Sequence, residues 1–311
     1  MVGGQEIIVT VCIGVALGGQ GREAEVLIDQ ASAALFQAKR NGRSRVEQFG
    51  DGNEQLHDDQ VFRHRALHLA LENGDIQVHY QPIITLGDRR IVGAEALARW
   101  SSAQYGQVPP SEFIPLTERT GLIDALGRFV VGRACSDMAN PEMTRRMIGI
   151  AVNVSALQLR APGFPDEIAA VIEGAGMEPG RLTLELTESV AMGDVERISD
   201  QLNLLKSAGA RLSIDDFGTG FSSVRILRHL PFDTLKIDRE FVSGICDDPH
   251  DRAIVAAMIA LGSALGMSIV AEGVEMESQH ELLRELGCDM AQGYLYYRPM
   301  DIASFIGALS D

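Results

Sequence analysis

The chain has 311 residues, of which 46% are hydrophobic and 23% charged, and its formal net charge is −16. That balance excludes a general nucleic-acid surface, which needs a basic patch, and no apolar run reaches the ~18 residues that a membrane span requires. No signal peptide opens the sequence, and Cys12, Cys135, Cys246 and Cys288 share no CxxC or metal-ligand spacing, so a cytoplasmic protein with reduced thiols is expected. An acidic protein can still handle a small phosphorylated ligand if cations and a few local Arg or Lys residues reverse the field at the site.

Residues 6–17 form a β-rich run, and a helix is predicted from about Arg22 to Arg40. Leu27, Ala31, Ala34, Leu35 and Ala38 share one face of that helix, and Asn41-Gly42 ends it. One strand and one helix cannot make a core, and the polar stretch from Gly50 to Asp59 reads as a boundary. A helix from about Val61 to Glu72 then leads into IQVHYQPIITL, a turn at Gly87-Asp88, and IVGAEALARW. Two strands joined by so short a link must be antiparallel.

Strands and helices alternate from there: IGIAVNVS (148–155), RLTLELTES (181–189), RLSIDDFG (211–218), TLKIDRE (234–240), MSIVAEGVE (267–275) and MAQGYLYY (290–297). The intervening helices are amphipathic, and Gly209 and Gly266 stand where C-caps belong. One antiparallel strand plus seven in β/α alternation makes eight. The predicted fold is therefore α/β, a modified TIM (β/α)8 barrel with one antiparallel strand, preceded by a short α/β fragment.

In such a barrel the C-terminal strand ends converge on one mouth. Here they carry Glu95, Asn153, Glu185, Asp215 with Asp216, Lys236, Glu272 and Gln292. Singly, each of these has an ordinary explanation, such as a turn cap or half of an ion pair. Jointly, so many acids on one face serve no stability purpose, because close like charges suppress each other's ionisation. Oxygen-rich sites of this kind suit Mg²⁺ or Mn²⁺, and five acids suit two ions better than one. After Asp216 the glycines Gly218 and Gly220 predict a mobile loop, with a helix starting near Ser222.

From about Gln60 to Leu309 the chain resembles the EAL-domain cyclic di-GMP phosphodiesterases. Glu95-Ala96-Leu97 supplies the naming motif, and PSEFIPLTERTGLI, VNVSALQL, LELTES, IDDFGTGFSS, LKID, VAEGVE and AQGYLYYRP follow in the family's order. The resemblance implies that Glu95, Asn153, Glu185, Asp215, Asp216 and Glu272 hold two metals, with Asp215 bridging them. It further implies that Lys236 orients or deprotonates the attacking water with help from Gln292, and that Gln81 and Arg99 contact the substrate, Arg99 through a phosphate. Glu188 would tether the loop from Asp216 to Ser223, and the chain would form a homodimer. Two departures are peripheral: Arg119 follows Glu118 where a second Glu is usual, and Tyr296-Tyr297-Arg298 is a variant ending. Residues 1–50, with VTVCIGVA and LIDQASAALFQAKRNGRSRVEQF, resemble the closing portion of a GGDEF domain without its catalytic turn.

These readings predict metal-dependent hydrolysis of cyclic di-GMP to linear pGpG by a barrel spanning residues 60–311. The alternatives are a catalytically silent cyclic di-GMP receptor or scaffold, or a barrel enzyme acting on another phosphorylated compound.

Overall fold

A computed structural model describes residues 11–18, 27–28, 30–31, 34–35, 38, 45–49, 66–188, 195–218, 227 and 229–309. Two compact units divide the chain, Met1–Asn73 and Gly74–Asp311. In the first, β1 (Ile13–Val15) pairs in parallel with β2 (Val46–Gln48), and the described residues between 27 and 38 are helical. The predicted strand before residue 11, the polar boundary from Gly50 to Asp59 and the start of the helix near Val61 lie outside the described residues.

The second unit is a closed barrel. β3 (Ile76–Thr85) and β4 (Ile91–Ser102) pair antiparallel, as so short a connection requires. β6 (Gly149–Asn153), β7 (Leu182–Thr187), β8 (Arg211–Phe217), β9 (Thr234–Ile237), β10 (Ser268–Ala271) and β11 (Met290–Ala291) follow. Each is parallel to its neighbour, starting from β4, and β11 closes the ring by pairing antiparallel with β3. β3 is thus the one antiparallel member of an eight-strand barrel. A short β5 (Gly106–Val108) extends the β4 edge outside the ring. The last strand is shorter than its sequence suggests. MAQGYLYY was expected to be strand throughout, but after Ala291 the chain turns, and Tyr296 and Tyr297 amides bond back to the Gly293 carbonyl.

The strands parallel on both sides read as near-continuous apolar runs because helices cover their outer faces. Helices Pro110–Thr120 and Ile123–Met138 sit against β4 and β6. Phe113 on the first of these is fully buried and meets the buried Trp100 of β4 edge-on, with ring centroids 6.1 Å apart. Arg181, at the start of β7, is buried too. Its guanidinium donates to the Met138 and Ile148 carbonyls and to Thr144 Oγ1, so its charge is solvated by the backbone.

Phe113→Ala should lower unfolding free energy by about 3–5 kcal/mol, the range for emptying a buried aromatic site. Chemical denaturation followed by circular dichroism measures this, with the fluorescence of Trp100, the chain's one tryptophan, as a local reporter.

Candidate active site

Strand alternation puts Glu95, Leu97 and Arg99 on one side of β4, and Asn153, Glu185, Asp215 and Lys236 on the inner side of the strands that follow. Glu272 and Gln292 come immediately after β10 and β11. Their positions are fixed by backbone bonds, since the Glu272 amide donates to the Ile237 carbonyl and the Gln292 amide to the Ala271 carbonyl. Gly293 follows where any Cβ would strike the Val274 backbone, so the close approach that seats Gln292 requires glycine.

The structure brings these residues into one bonded cluster around Lys236, whose side chain is only 2% exposed. The Lys236 Nζ lies 2.5 Å from Glu272 Oε1, 2.9 Å from Glu185 Oε2, 3.4 Å from Asp215 Oδ1 and 3.5 Å from Glu95 Oε2. Asn153 Nδ2 donates to Glu95 Oε1 at 2.7 Å. Gln292 Nε2 donates to Glu95 Oε2 at 2.7 Å and to Glu272 Oε1 at 3.2 Å. Seven of the eight strand-end residues singled out from sequence therefore belong to this network.

Asp216 sits beside it. Its amide donates to Asp215 Oδ1, and its φ of +54° is a left-handed conformation uncommon for a non-glycine residue. Such strain at a strand end turns the carboxylate out of the strand's alternation. Asp238, which sequence reasoning passed over, hydrogen-bonds the Asp216 side chain and also caps the helix Arg239–Gly244 by accepting from the Glu240 amide. Its signal was its place in LKID, two residues after Lys236 and on the same face of that strand end.

Burial pushes the Glu272 carboxyl up to about 8 and that of Asp216 to about 6, with the neighbouring carboxylates adding to both. Burial also holds Glu185 well above the usual range. For Glu95 burial works the same way, but Lys236, Gln292 and Asn153 outweigh it and keep this carboxyl low. Burial opposes the Lys236 ammonium, and Glu185, Glu272, Glu95 and Asp215 together overcome it, raising the lysine well above its ordinary value. Lys236 is held charged, a donor in this arrangement.

Gln81, Arg99 and Glu188 lie outside the network. Gln81, opposite Glu95 in the β3–β4 register, donates to the Tyr297 carbonyl. Arg99 is half-buried, with Tyr294 and Glu95 as its nearby charge partners, and donates to the Ala98 carbonyl. Tyr294 is half exposed, and the Arg298 guanidinium stacks 4.2 Å from its ring centre. Glu188 is buried and accepts from the Gly218 amide at 3.0 Å, so it grips the predicted loop two residues after Asp216. Gly218 has φ +101°, a conformation that side chains resist. Gly220, Ser222 and the expected helix start lie outside the described residues.

The donor set has the chemistry of a hard divalent cation site: four carboxylates, the Asn153 amide oxygen, and a Gln292 Oε1 that is buried without a partner among the described residues. Four carboxylates against one ammonium leave an excess of negative charge, and burial shifts the Glu185 and Glu272 carboxyls upward. Bound cations would oppose that shift and favour the ionised carboxylates. Among the described residues no three acids close on a single point at metal-ligand spacing, because they close on Lys236 instead.

The EAL domain family model matches residues 64–299. The chain belongs to the EAL domain family. The chain is 39% identical over 307 residues to the bifunctional diguanylate cyclase/cyclic di-GMP phosphodiesterase MucR of Pseudomonas aeruginosa, covering 98% of this chain and 45% of MucR. It is 37% identical over 303 residues to the cyclic di-GMP phosphodiesterase NbdA of the same organism, covering 97% of this chain and 39% of NbdA. The chain thus spans less than half the length of these curated relatives. Among solved structures, the PaMucR phosphodiesterase in complex with c-di-GMP superposes with a TM-score of 0.75 at 42% identity, covering 78% of this chain and 98% of that one. The EAL enzyme Bd1971 in its cGMP-bound form gives 0.78 at 30% identity, covering 93% and 76%.

The raised Glu272 carboxyl sets a pH dependence in chelator. Its folded value of about 8 exceeds the unfolded value near 4.5, so folding takes up a proton. The contribution is complete below about 4.5 and is lost as pH rises through 8. Glu272→Gln should flatten that slope and make the chelated protein more stable than wild type at pH 8, as measured by urea denaturation across pH.

Proposed function

We propose that this chain hydrolyses cyclic di-GMP to the linear dinucleotide pGpG, lowering the level of a second messenger. The observation that carries the reading is the buried cluster of Glu95, Glu185, Asp215 and Glu272 around Lys236 at the C-terminal mouth of the barrel. The names of the relatives MucR and NbdA, and the c-di-GMP held in the PaMucR structure, support the substrate. A silent receptor would need neither the buried lysine nor the full set of acids.

Glu95, Asn153, Glu185, Asp215, Asp216 and Glu272 would hold two Mg²⁺ or Mn²⁺ ions. Such ions, when bound, supply Lewis acidity toward a phosphoryl oxygen and acidify water. Hydrolysis adds water across one P–O3′ bond, the oxygen going to phosphorus and a proton to the departing 3′-oxygen. The charged Lys236 donates to the attacking water and fixes its lone pairs, while Gln292 keeps Glu95 and Glu272 in place. Arg99 and Gln81 face the mouth near Tyr294 and Tyr297 and hold the substrate, Arg99 through a phosphate. Glu188 sets the root of the loop after Asp216 through the Gly218 amide.

Residues 1–50 are read as the closing portion of a GGDEF-like domain and 60–311 as the phosphodiesterase barrel. The match to bifunctional MucR across 98% of the chain supports this division. A homodimer follows from the family resemblance. A cytoplasmic location fits the four free cysteines, and no helix among the described residues is long and apolar enough to cross a membrane.

Incubation with cyclic di-GMP and Mg²⁺ should yield pGpG by chromatography, and excess EDTA should abolish it. Ca²⁺ should substitute poorly, because its longer bonds and looser coordination spoil alignment. Product that forms equally well in EDTA overturns the metal reading. Lys236→Ala should cut kcat by ~10²-fold or more, with cyclic di-GMP binding little changed by calorimetry. A parallel loss of binding and turnover in a destabilised protein would make Lys236 a purely structural ion-pair partner.

A further inference from the structure

TIM barrels usually fill their interior with layers of branched apolar side chains. Directly beneath the acid layer this barrel does not. Two residues before Glu95, Glu185 and Asp215, on the same inner face, stand Gly93, Thr183 and Ser213, and Thr234 holds the matching place below Lys236, while Val270 below Glu272 keeps the usual branched apolar side chain. Small and hydroxylic side chains leave a cavity of about 320 Å³ there. Its lining runs from Met147, 55% exposed at the N-terminal end of the barrel, inward to Glu185, which is only 2% exposed. The cavity is therefore a funnel from the surface opposite the catalytic mouth to the floor of the acid layer.

Part of its wall is polar. Ser213 is 1% exposed, and its Oγ has no hydrogen-bond partner among the described residues although it lines this space. A buried hydroxyl left unpaired is costly, whereas water in a polar cavity satisfies such groups. Thr183, Thr234 and Ser268 place further hydroxyl-bearing side chains along the wall. Each water takes about 30 Å³, so the space holds several. We propose that the barrel floor is a water-filled conduit that supplies the acid layer from below while substrate covers the mouth. The supply role rests on the hydrolytic reading above, since each turnover consumes one water. The hydration itself does not rest on it.

The test separates hydration from supply. In the double variant Thr183→Val/Thr234→Val and in the single variant Thr183→Val, shape is kept and hydroxyls are removed. A hydrated floor predicts lower urea midpoints for both, whereas unchanged or raised midpoints mean a dry cavity and overturn the proposal. Turnover of cyclic di-GMP should fall at least fivefold with KM unchanged in these variants. Thr183→Ser/Thr234→Ser, which keeps the hydroxyls, should retain it. Gly149→Val narrows the funnel further from the acids, at a position where an added Cβ meets nothing closer than the Arg181 carbonyl oxygen at 3.6 Å, and should also slow turnover. Lower midpoints with full turnover in the Val and Gly149→Val variants would make the water structural and overturn the supply role. A wild-type protein that leaves cyclic di-GMP intact would sink the hydrolytic reading and supply with it, while the midpoints still decide hydration.

Discussion

The ammonium of Lys236 is the interaction on which the barrel mouth depends. Four carboxylates from four different strand ends lie within 3.5 Å of it, in a largely buried site. No packing force would gather those acids unaided, because burial and mutual repulsion both favour their dispersal or protonation. The lysine makes the gathering tolerable, and the upward shift of the Glu185 and Glu272 carboxyls marks the part of the burial and repulsion it leaves uncompensated. Such a site is under tension by construction. Its acids stay close at a cost to the stability of the isolated chain, a balance common where function sets the local chemistry.

That tension is contained by the polar frame around it. Asn153 and Gln292 donate to the acids rather than competing with Lys236, and both stand at strand ends whose backbone pairing fixes them. Outside the cluster, Glu188 and Asp238 each serve a backbone amide as well as the site's periphery. The cluster is thus surrounded by groups whose positions are decided by the fold, which is how a strained arrangement persists.

Much of this was legible in the sequence because barrels repeat one rule at every strand. Once β/α alternation was seen, residues at strand ends had to converge, and Glu95, Asn153, Glu185, Asp215, Lys236, Glu272 and Gln292 do so. The antiparallel β3 was legible from the brevity of the link to β4. What escaped was governed by geometry that no local pattern encodes. MAQGYLYY has the composition of a strand, yet the chain must leave the sheet after Ala291 to bring Gln292 and Gly293 against Val274. Asp238 was hidden because its local task, capping a helix, explains it fully on its own terms. The open barrel floor was hidden as well. A glycine or threonine inside a strand looks unremarkable until all eight strands are placed side by side.

The closure of β3 against β11 has a consequence for how the molecule comes into being. Gln81 and Glu95 lie near the start of the barrel and Gln292 near its end, and the Glu95–Gln292 hydrogen bond spans 197 residues of chain. A further pairing of Tyr80 with Met300 stitches the same seam. The ring cannot shut until its last strand is available, so this contact carries a large loop-closure cost that precedes any reward. On a ribosome, the acids of the first strands must wait, exposed and harmless, for a glutamine synthesised long after them. The hydrogen-bonded frame of the acid cluster therefore closes in a single late event rather than growing with the chain.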